Sequence, residues 1–374
     1  MKIGILGLRG LPSTYSGYEA VMTELAPRLV QRGHDVTVYC RSGLFKEKPA
    51  EWRGVKLRYI PSIEHKVAST LTHSFLSITD ASFRSFDVIF VVNAANGMFG
   101  FIPRLLGRPS VINVDGMEWL RPKWNSAAKF IFKNSARLGC TFYNEVVTDA
   151  EEMQRLYERE FGAKTAYIAY GANIADNPPV EGVLNYGLEP RNYYLVLSRM
   201  VPDNNADTVV KGFVKSGSNK ILALAGGADY RGNERELKFR EELKAAANDR
   251  VKFLGHIGSP ELVQELHAHA YGYIHGHQFG GVNPSLLTAL GSGSCVLALN
   301  TKFNSEVLNG EQYGLLWKKD PDDLARLINK LDTNPQLAED YRSRSADRIR
   351  EKFTWEKITS DYEELFLSLL EKKR

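Results

Sequence analysis

The sequence is poor in cysteine and has no long apolar run. Its three cysteines, Cys40, Cys140 and Cys295, are scattered over 374 residues and form no Cys-x-x-Cys pair, which argues against a disulfide framework and against a zinc site. No segment approaches the ~18 apolar residues that span a bilayer, and the run KIGILG after Met1 is too short for a signal peptide. These absences predict a cytoplasmic protein with reduced thiols and no membrane-spanning helix.

The chain also lacks a strong excess of charge of one sign, but its first part has one. Residues 1–171 contain 22 Lys and Arg against 16 Asp and Glu, whereas the remainder contains 26 against 28. A basic half favours contact with an anionic membrane surface, a nucleic acid or a phosphorylated substrate. The alternative is an ordinary solvated face of mixed charge.

Short apolar runs alternate with longer segments of helical spacing, such as Val21, Leu25 and Leu29. The strand-like runs of the first part are KIGILG, DVTVYC, VKLRYI, FDVIFVV, PSVINV, NEVVT and TAYIAY. Those of the second part are YYLVLS, KILALAGG, VKFLGH, YGYIHG, SCVLAL and YGLLW. The pattern predicts an α/β chain of two doubly wound, Rossmann-like domains facing each other across a cleft. We expect domains at 1–171 and 192–354, a Pro- and Gly-rich linker at 172–191, and a terminal helix at 355–374 that packs back on the first domain.

Ligands of such sheets bind beyond the carboxyl ends of the strands, so we expect the functional residues at the junctions after the strands. The first junction, GILGLRGLPSTYSGYEAV, has the spacing Gly4, Gly7, Gly10. A dehydrogenase would place an acidic residue at the end of the second strand, but Cys40 and Arg41 stand there. NAD is therefore disfavoured, and an NADP-dependent oxidoreductase remains open only through Arg41.

The junction VINVDGMEWLRPKW places charges of both signs beside two tryptophans. Aromatic rings offer flat apolar faces to a sugar, and carboxylates accept hydrogen bonds from its hydroxyl groups. The sequence thus predicts a sugar site here. The alternative is a helix start with surface ion pairs.

Two junctions of the second domain suit an anion. Arg199 follows the strand YYLVLS, and an always-charged guanidinium with a fork of donors suits a diphosphate. In HGHQFGGVNPSLLTALGSG, a Gly-rich turn ahead of Pro284 exposes backbone amides at the start of a helix, where the dipole favours negative charge. His275 and His277 lie at the end of the strand, and without a nearby third ligand they predict no metal site. They either contact a ligand or are buried and hydrogen-bonded.

Four motifs together resemble glycosyltransferase family 4, and within it the rhamnosyltransferase-like branch. They are GLRGLPSTYSGYE, DGMEWLRPKW, SRMVPDNN and HGHQFGGVNPSLLTALGSG, and the resemblance runs in order over nearly the whole chain. It implies the GT-B fold, with an acceptor-side first domain and a nucleotide-sugar second domain. It also implies a retaining, metal-independent enzyme without cofactor, which moves rhamnose or another hexose from a UDP- or dTDP-linked donor to a glycan or lipid-diphosphate acceptor in polysaccharide biosynthesis.

The resemblance also implies the roles of individual residues. Asp115 and Arg199 would be catalytic, the first by orienting the reacting sugars and the second by stabilising the leaving diphosphate. The donor would contact Gly10, Arg199, Asn204, His275, His277, Gly280, Gly281, Val282, Asn283, Pro284, Ser285 and Thr288. The acceptor would contact Tyr15, Gly17, Tyr18, Glu118, Trp119, Arg121 and Lys123. The implied partners include no nucleic acid, and the basic first domain is expected to meet the anionic inner face of the cell membrane.

Two positions depart from the family pattern. Ser16 replaces a glycine of the first loop, and Thr288 stands where the family carries a glutamate that binds the donor ribose. Thr288 leaves open a second function, that of a nucleotide-sugar-binding protein with weakened turnover. A Thr hydroxyl is shorter than a carboxylate and carries no charge, so we expect poorer donor affinity than the motif suggests.

Overall fold

The computed structural model describes residues 1–12, 17–63, 68–121, 124–227 and 234–372. The chain divides into two compact units, one made of Met1–Tyr170 with Trp355–Arg374 and the other of Gly171–Thr354. Within the described ranges, no helix is long and apolar enough to cross a membrane. Each unit contains a sheet of parallel strands flanked by helices, as the alternating pattern predicted.

The sheet of the first unit has the strand order β3-β4-β2-β1-β5-β6-β7-β8. Its strands are β1 (Lys2–Leu6), β2 (Asp35–Arg41), β3 (Glu51–Trp52), β4 (Val55–Ile60), β5 (Val88–Val92), β6 (Ser110–Val114), β7 (Glu145–Thr148) and β8 (Ala166–Tyr167). All neighbours are parallel except β3, which pairs antiparallel with β4. Strands β5 and β6 are buried throughout, which is why they read as continuous apolar runs.

The helices of the first unit are α1 (Gly17–Gln31), α2 (Ala68–Ser82), α3 (Phe101–Leu105), α4 (Ser126–Phe142), α5 (Glu151–Phe161) and α14 (Trp355–Glu371), with 3₁₀ turns at Ser42–Leu44, Ala94–Gly100 and Glu118–Leu120. Helix α14 comes last in the sequence but belongs to this core. The Asn113 amide donates a hydrogen bond to the Tyr362 hydroxyl at 3.0 Å. The Phe366 ring packs on Phe90 with 5.5 Å between ring centroids.

The second unit has the strand order β11-β10-β9-β12-β13-β14, with every neighbouring pair parallel. Its strands are β9 (Tyr193–Leu197), β10 (Ile221–Ala225), β11 (Val251–Gly255), β12 (Gly272–His275), β13 (Val296–Leu299) and β14 (Leu315–Trp317). Its helices are α6 (Glu181–Asn185), α7 (Ala206–Ser216), α8 (Glu234–Ala246), α9 (Pro260–His269), α10 (Pro284–Gly291), α11 (Lys302–Leu308), α12 (Pro321–Thr333) and α13 (Pro335–Lys352), with a 3₁₀ turn at Pro202–Asn204. Strand order reverses between β9 and β12, so the ligand-binding crevice of such a sheet is expected beyond these two strands.

Helix α12 illustrates how the sequence determines these elements. The Asp320 carboxylate accepts the Asp322 amide at 3.0 Å and caps the helix, and Pro321 occupies the first position, where no amide is needed. Its apolar residues recur at helical spacing and are buried against the sheet: Leu324, Leu327, Ile328 and Leu331. Each buried side chain of this size stabilises the fold by about 1.5–3 kcal/mol before the entropy cost.

The segment 172–191 was expected to be a linker, but it is part of the second unit. It contains α6, whose Gly182 amide donates to the Glu265 carboxylate of α9 at 2.9 Å. Only the Pro- and Gly-rich composition of the segment is visible in the sequence, and composition does not reveal such a contact.

Candidate functional site

The segments after β9 and β12 lie against each other at the carboxyl edge of the second sheet. The side-chain amide of Asn205 donates to the Gly276 carbonyl at 2.8 Å, and the side-chain amide of Asn204 donates to the Arg199 carbonyl at 2.8 Å. The contact is so close that a Cβ on Gly276 would lie 2.2 Å from the Asn204 carbonyl oxygen. The motifs SRMVPDNN and HGHQ therefore form one surface beyond the strand-order reversal.

Arg199 is exposed at this surface. Its carbonyl is fixed by Asn204, but its guanidinium makes no hydrogen bond or ion pair with any part of the chain that the structure describes. An uncommitted, permanently charged group beside a strand end is available to an anionic ligand.

The turn before α10 offers backbone donors. The amides of Gly280, Gly281, Val282 and Asn283 have no hydrogen-bond partner in the described ranges, and Gly280 adopts φ +122°, which favours glycine. The helix itself is capped, because the Asn283 side chain accepts the Ser285 amide at 3.0 Å. The side chain of Val282 is buried, so only its amide can serve a ligand. Together with the dipole of α10, these amides suit an anion.

The two histidines are not equivalent. His277 is half-buried, whereas His275 is completely buried, and the rings stack with 4.4 Å between centroids. Burial, and then the neighbouring His277 and His267, holds the pKa of His275 well below its usual range. The expectation that His275 touches the donor is corrected, because its side chain lies behind the surface that a ligand would reach. No group of three or more metal-ligating side chains occurs among the described residues.

Thr288 lies one turn into α10 and is half-buried. Its hydroxyl donates to the Pro284 carbonyl at 3.0 Å, so the only hydrogen it could offer a ribose is used within the helix.

In the first unit, Asp115 follows β6 and meets the start of α1. The Tyr18 hydroxyl donates to the Asp115 carboxylate at 2.5 Å. Burial raises the pKa of Asp115 to about 6, with the nearby Glu118 adding to the rise, while the Tyr18 hydrogen bond opposes it. A carboxyl group with a pKa near neutrality at a strand end is typical of a functional site.

Other side chains of the DGMEWLRPKW motif make contacts within the first unit. Glu118 pairs with Arg121 at 2.7 Å and accepts the Trp124 indole N–H at 2.8 Å. Trp119 is buried, with its ring packed edge-on against Tyr157 and Phe161. This corrects the expectation that Trp119 offers an open ring face to a sugar.

The predicted first-loop residues are only partly described. Tyr15 and Ser16 lie outside the described residues, as does Lys123 of the DGMEWLRPKW motif. Gly17 is exposed at the first position of α1. Gly10 has φ +136°, and a Cβ there would lie within 2.8 Å of Phe45 and Cys40, so the backbone conformation and the packing both favour glycine.

Sequence reasoning missed two buried carboxylates at the same edge. Glu19, 2% exposed, accepts the Arg9 amide at 2.7 Å, and Asp149 follows β7 with no exposed surface. The charge of Asp149 is close enough to raise the pKa of Tyr18, although burial and Asp115 contribute more. The position of Asp149 directly after the run NEVVT was the signal that could have found it.

Arg41 is not available to a dinucleotide phosphate. It is buried, and its guanidinium donates to the hydroxyls of Ser69 at 3.2 Å and Thr70 at 3.1 Å. The residue that kept an NADP-dependent oxidoreductase open therefore holds α2 on the sheet.

Two largely parallel sheets, each with a reversal of strand order, define the chain as a two-unit protein of the doubly wound α/β class. Residues 16–171 match the model of the glycosyl transferase 4-like domain, and residues 186–348 match that of glycosyl transferases group 1. The chain belongs to the glycosyltransferases, with a 4-like domain followed by a group 1 domain.

Solved structures agree on the fold. The chain is similar to sucrose-phosphate synthase from Thermosynechococcus elongatus, with TM-score 0.83, 17% identity and 99% of each chain covered. It is also similar to Anabaena HepE in complex with UDP-glucose, with TM-score 0.79, 16% identity, and 98% of this chain and 100% of that chain covered. These glycosyltransferases have the GT-B fold, which confirms the predicted fold class.

An uncharacterized glycosyltransferase of Methanocaldococcus jannaschii is 29% identical over 136 residues, which are 35% of this chain. The chain thus spans about a third, 34%, of the length of the curated relative that it matches.

Proposed function

We propose that this glycosyltransferase is a retaining, metal-independent enzyme of the rhamnosyltransferase-like branch. It transfers rhamnose or another hexose from a UDP- or dTDP-linked donor to a glycan or a lipid-diphosphate acceptor. The observation that carries the proposal is that the Arg199 guanidinium and the backbone amides of residues 280–283, all without a partner in the described ranges, belong to the two strand-end segments that lie against each other. The solved complexes of HepE with UDP and UDP-glucose support a nucleotide-sugar donor.

In this proposal the second unit stabilises the leaving group. Negative charge develops on the diphosphate as the glycosidic bond breaks, and fixed N–H donors with a guanidinium counter it without rearranging. Such donors would fill the role of a metal ion. Retention follows if the departing phosphate oxygen removes the proton of the acceptor hydroxyl on the same face of the sugar, so no enzyme nucleophile is needed.

The first unit would bind the acceptor and orient the sugars through Asp115. With a pKa of about 6, its carboxyl is mainly ionised at pH 7 and able to accept a hydrogen bond from a sugar hydroxyl. Tyr18 fixes the orientation of that carboxylate. Glu118, Arg121 and Lys123 would contribute charge around the acceptor.

The donor is tested by thermal shift of the purified protein with UDP-, dTDP- and GDP-sugars, followed by a transfer and hydrolysis assay with the nucleotide that stabilises it. We expect a UDP- or dTDP-sugar to raise Tm and to be turned over, with the anomeric configuration retained when the product is examined by NMR. Stabilisation by none of the three classes would contradict the proposal, and inversion would contradict its mechanism.

Thr288 favours a second candidate, a nucleotide-sugar-binding protein with weakened turnover, because its hydroxyl is committed to Pro284. The two candidates differ in one measurement. A weakened protein would show a rise in Tm with the donor but neither transfer nor hydrolysis.

We also propose that the first unit docks at an anionic membrane surface through α4. This helix packs inward with the small residues Ser135, Ala136 and Gly139. A Cβ on Gly97 would lie 2.0 Å from the Ser135 carbonyl oxygen, which shows how closely the helix is seated on the neighbouring 3₁₀ turn. Two of its large apolar side chains remain outside, with Phe130 71% and Ile131 51% exposed.

The charge of α4 fits the same partner. The helix carries Lys129, Lys133 and Arg137 and no acidic residue. Phe130, Lys133 and Arg137 are spaced i, i+3, i+7, so they lie on one exposed face, where Lys133 also pairs with Glu160 at 2.8 Å. An apolar anchor between cations is the pattern of a helix that lies on anionic lipid. The cytoplasmic face of the cell membrane would provide such a surface.

Vesicle sedimentation tests this docking. Wild type should sediment with anionic vesicles at low salt, less so as salt is added, and little with neutral vesicles. Phe130→Ser should reduce sedimentation several-fold, whereas Phe83→Ser, a change at a residue that is also 71% exposed, should not. Equal recovery with neutral and anionic vesicles, or equal loss in both variants, would contradict the assignment to α4.

A further inference from the structure

The hydroxyl of Tyr273 lies at the centre of a buried hydrogen-bond network behind the proposed donor site. Tyr273, on β12, is completely buried, and its hydroxyl oxygen is 3.0 Å from Nδ1 of His275 and 3.3 Å from the Ser285 hydroxyl. The Leu197 carbonyl, at the end of β9, is 3.5 Å away. One hydroxyl thus touches both strands beside the order reversal and the start of α10.

The network ends at the cap of α10. The Ser285 hydroxyl donates to the Asn283 side-chain oxygen at 2.7 Å, and the same oxygen accepts the Ser285 amide at 3.0 Å. Because the serine hydrogen is used in this way, its oxygen can only accept a hydrogen bond from Tyr273. The tyrosine oxygen is then free to accept from Nδ1 of His275, because the Leu197 carbonyl has no hydrogen to donate.

His275 is suited to be the first donor of this chain. Burial, with His277 and His267 next in effect, keeps the pKa of His275 well below its usual range, so the ring is neutral and carries one N–H. Its Nε2 is buried without a partner among the described residues. A buried N–H without a partner is rarer than a buried acceptor without one, which favours placing the hydrogen on Nδ1.

We infer that Tyr273 is a positioning residue of the donor site, which relays a directed chain of hydrogen bonds from His275 Nδ1–H through its own hydroxyl and Ser285 to Asn283. These hydrogen bonds fix the end of β12 relative to the cap of α10. The turn with the unpaired amides, residues 280–283, lies between these two points. Tyr273 touches no ligand and acts through the shape of the turn. The expected effect on nucleotide binding rests on the proposed donor site. The donor-to-acceptor direction of the hydrogen bonds does not depend on it.

The first test is made on the wild-type protein and uses one variant only to assign the signal. Nitrogen NMR of protein labelled at the rings of its eight histidines should show His275 as the neutral Nδ1–H tautomer, with its signal assigned as the one lost in His275→Gln. Finding the Nε2–H tautomer would overturn the direction of the chain, whether or not any nucleotide binds.

The second test compares Tyr273→Phe with Tyr271→Phe. Tyr271 is a matched control, because it directly precedes β12, is also buried, and its hydroxyl donates to a backbone carbonyl, that of Leu331, at 2.6 Å. Tyr273→Phe should weaken nucleoside diphosphate binding about three- to tenfold, the effect of a lost neutral hydrogen bond, and should alter the His275 signal. Tyr271→Phe should do neither, even if it lowers Tm as much.

The outcomes separate this inference from the proposed function. If wild type binds no nucleoside diphosphate, the proposed function fails, and the tautomer still tests the chain. If wild type binds a nucleoside diphosphate and the two Phe variants bind it with the same affinity as each other, Tyr273 is only a structural residue and the inference is wrong.

Discussion

Replacing Arg199 with Ala tests the proposed donor site most directly. The guanidinium makes no interaction with the described residues, so its removal should change the free energy of unfolding by no more than about 0.5 kcal/mol. If it binds the diphosphate, a charge-assisted hydrogen bond of about 1.5–3 kcal/mol is lost. That corresponds to a Kd about 10- to 150-fold higher. Arg199→Lys should lose less, because an ammonium keeps the charge but not the fork of donors.

The assay is titration calorimetry with the nucleoside diphosphate of the preferred donor, on variants whose unfolding has first been shown to match wild type. Arg350→Ala is the control, since Arg350 is an exposed arginine of the same unit that pairs with Asp347 on its own helix, and the variant loses the same charge. Its affinity should be that of wild type. If Arg199→Ala also binds like wild type, the guanidinium is a surface group and the assignment of the diphosphate to this strand end is wrong.

Two further variants test the remaining site residues. Thr288→Glu should tighten nucleoside diphosphate binding by about 1 kcal/mol or more if the ribose lies at this turn of α10, and equal or weaker binding in calorimetry would mean a rebuilt pocket. Tyr18→Phe removes the hydrogen bond that lowers the pKa of Asp115, so that pKa should rise above about 6. If transfer requires the Asp115 carboxylate, the acid limb of the rate profile lies near pH 6 and moves to higher pH in Tyr18→Phe, and an unmoved limb would separate Asp115 from the reaction.

The fold was predictable because each buried parallel strand is a short apolar run bounded by polar or glycine residues. The strand that escaped prediction, β3, has only Glu51 and Trp52 and pairs at the edge of the sheet, where burial leaves no pattern. Helix α6 was missed for a related reason, since five residues are too few to show helical spacing.

The positions of the candidate site residues at strand ends were predictable from the sequence, but the burial of their side chains was not. Parallel strands bring their carboxyl ends to one edge, so Arg199, Asp115 and the turn before Pro284 could be located from strand ends alone. How far each side chain is buried depends on neighbours distant in sequence. His275 is covered within its unit, and Trp119 packs on residues of α5. Local pattern cannot report such contacts, and for the same reason it missed Asp149.

The return of α14 to the first unit has a consequence for biosynthesis. Phe90, in the middle of β5, packs against Tyr362 and Phe366, which are translated only after the whole of the second unit. While residues 171–354 are being translated, the part of the first sheet around Phe90 lacks the side chains of Tyr362 and Phe366 that pack on it. The second unit can fold as it emerges, because its residues are continuous in the sequence, whereas the first unit is completed only after the second has been translated. A chain that stops before residue 355 would expose that sheet face and become a substrate for chaperones and proteases, even though both predicted sites would be present in it.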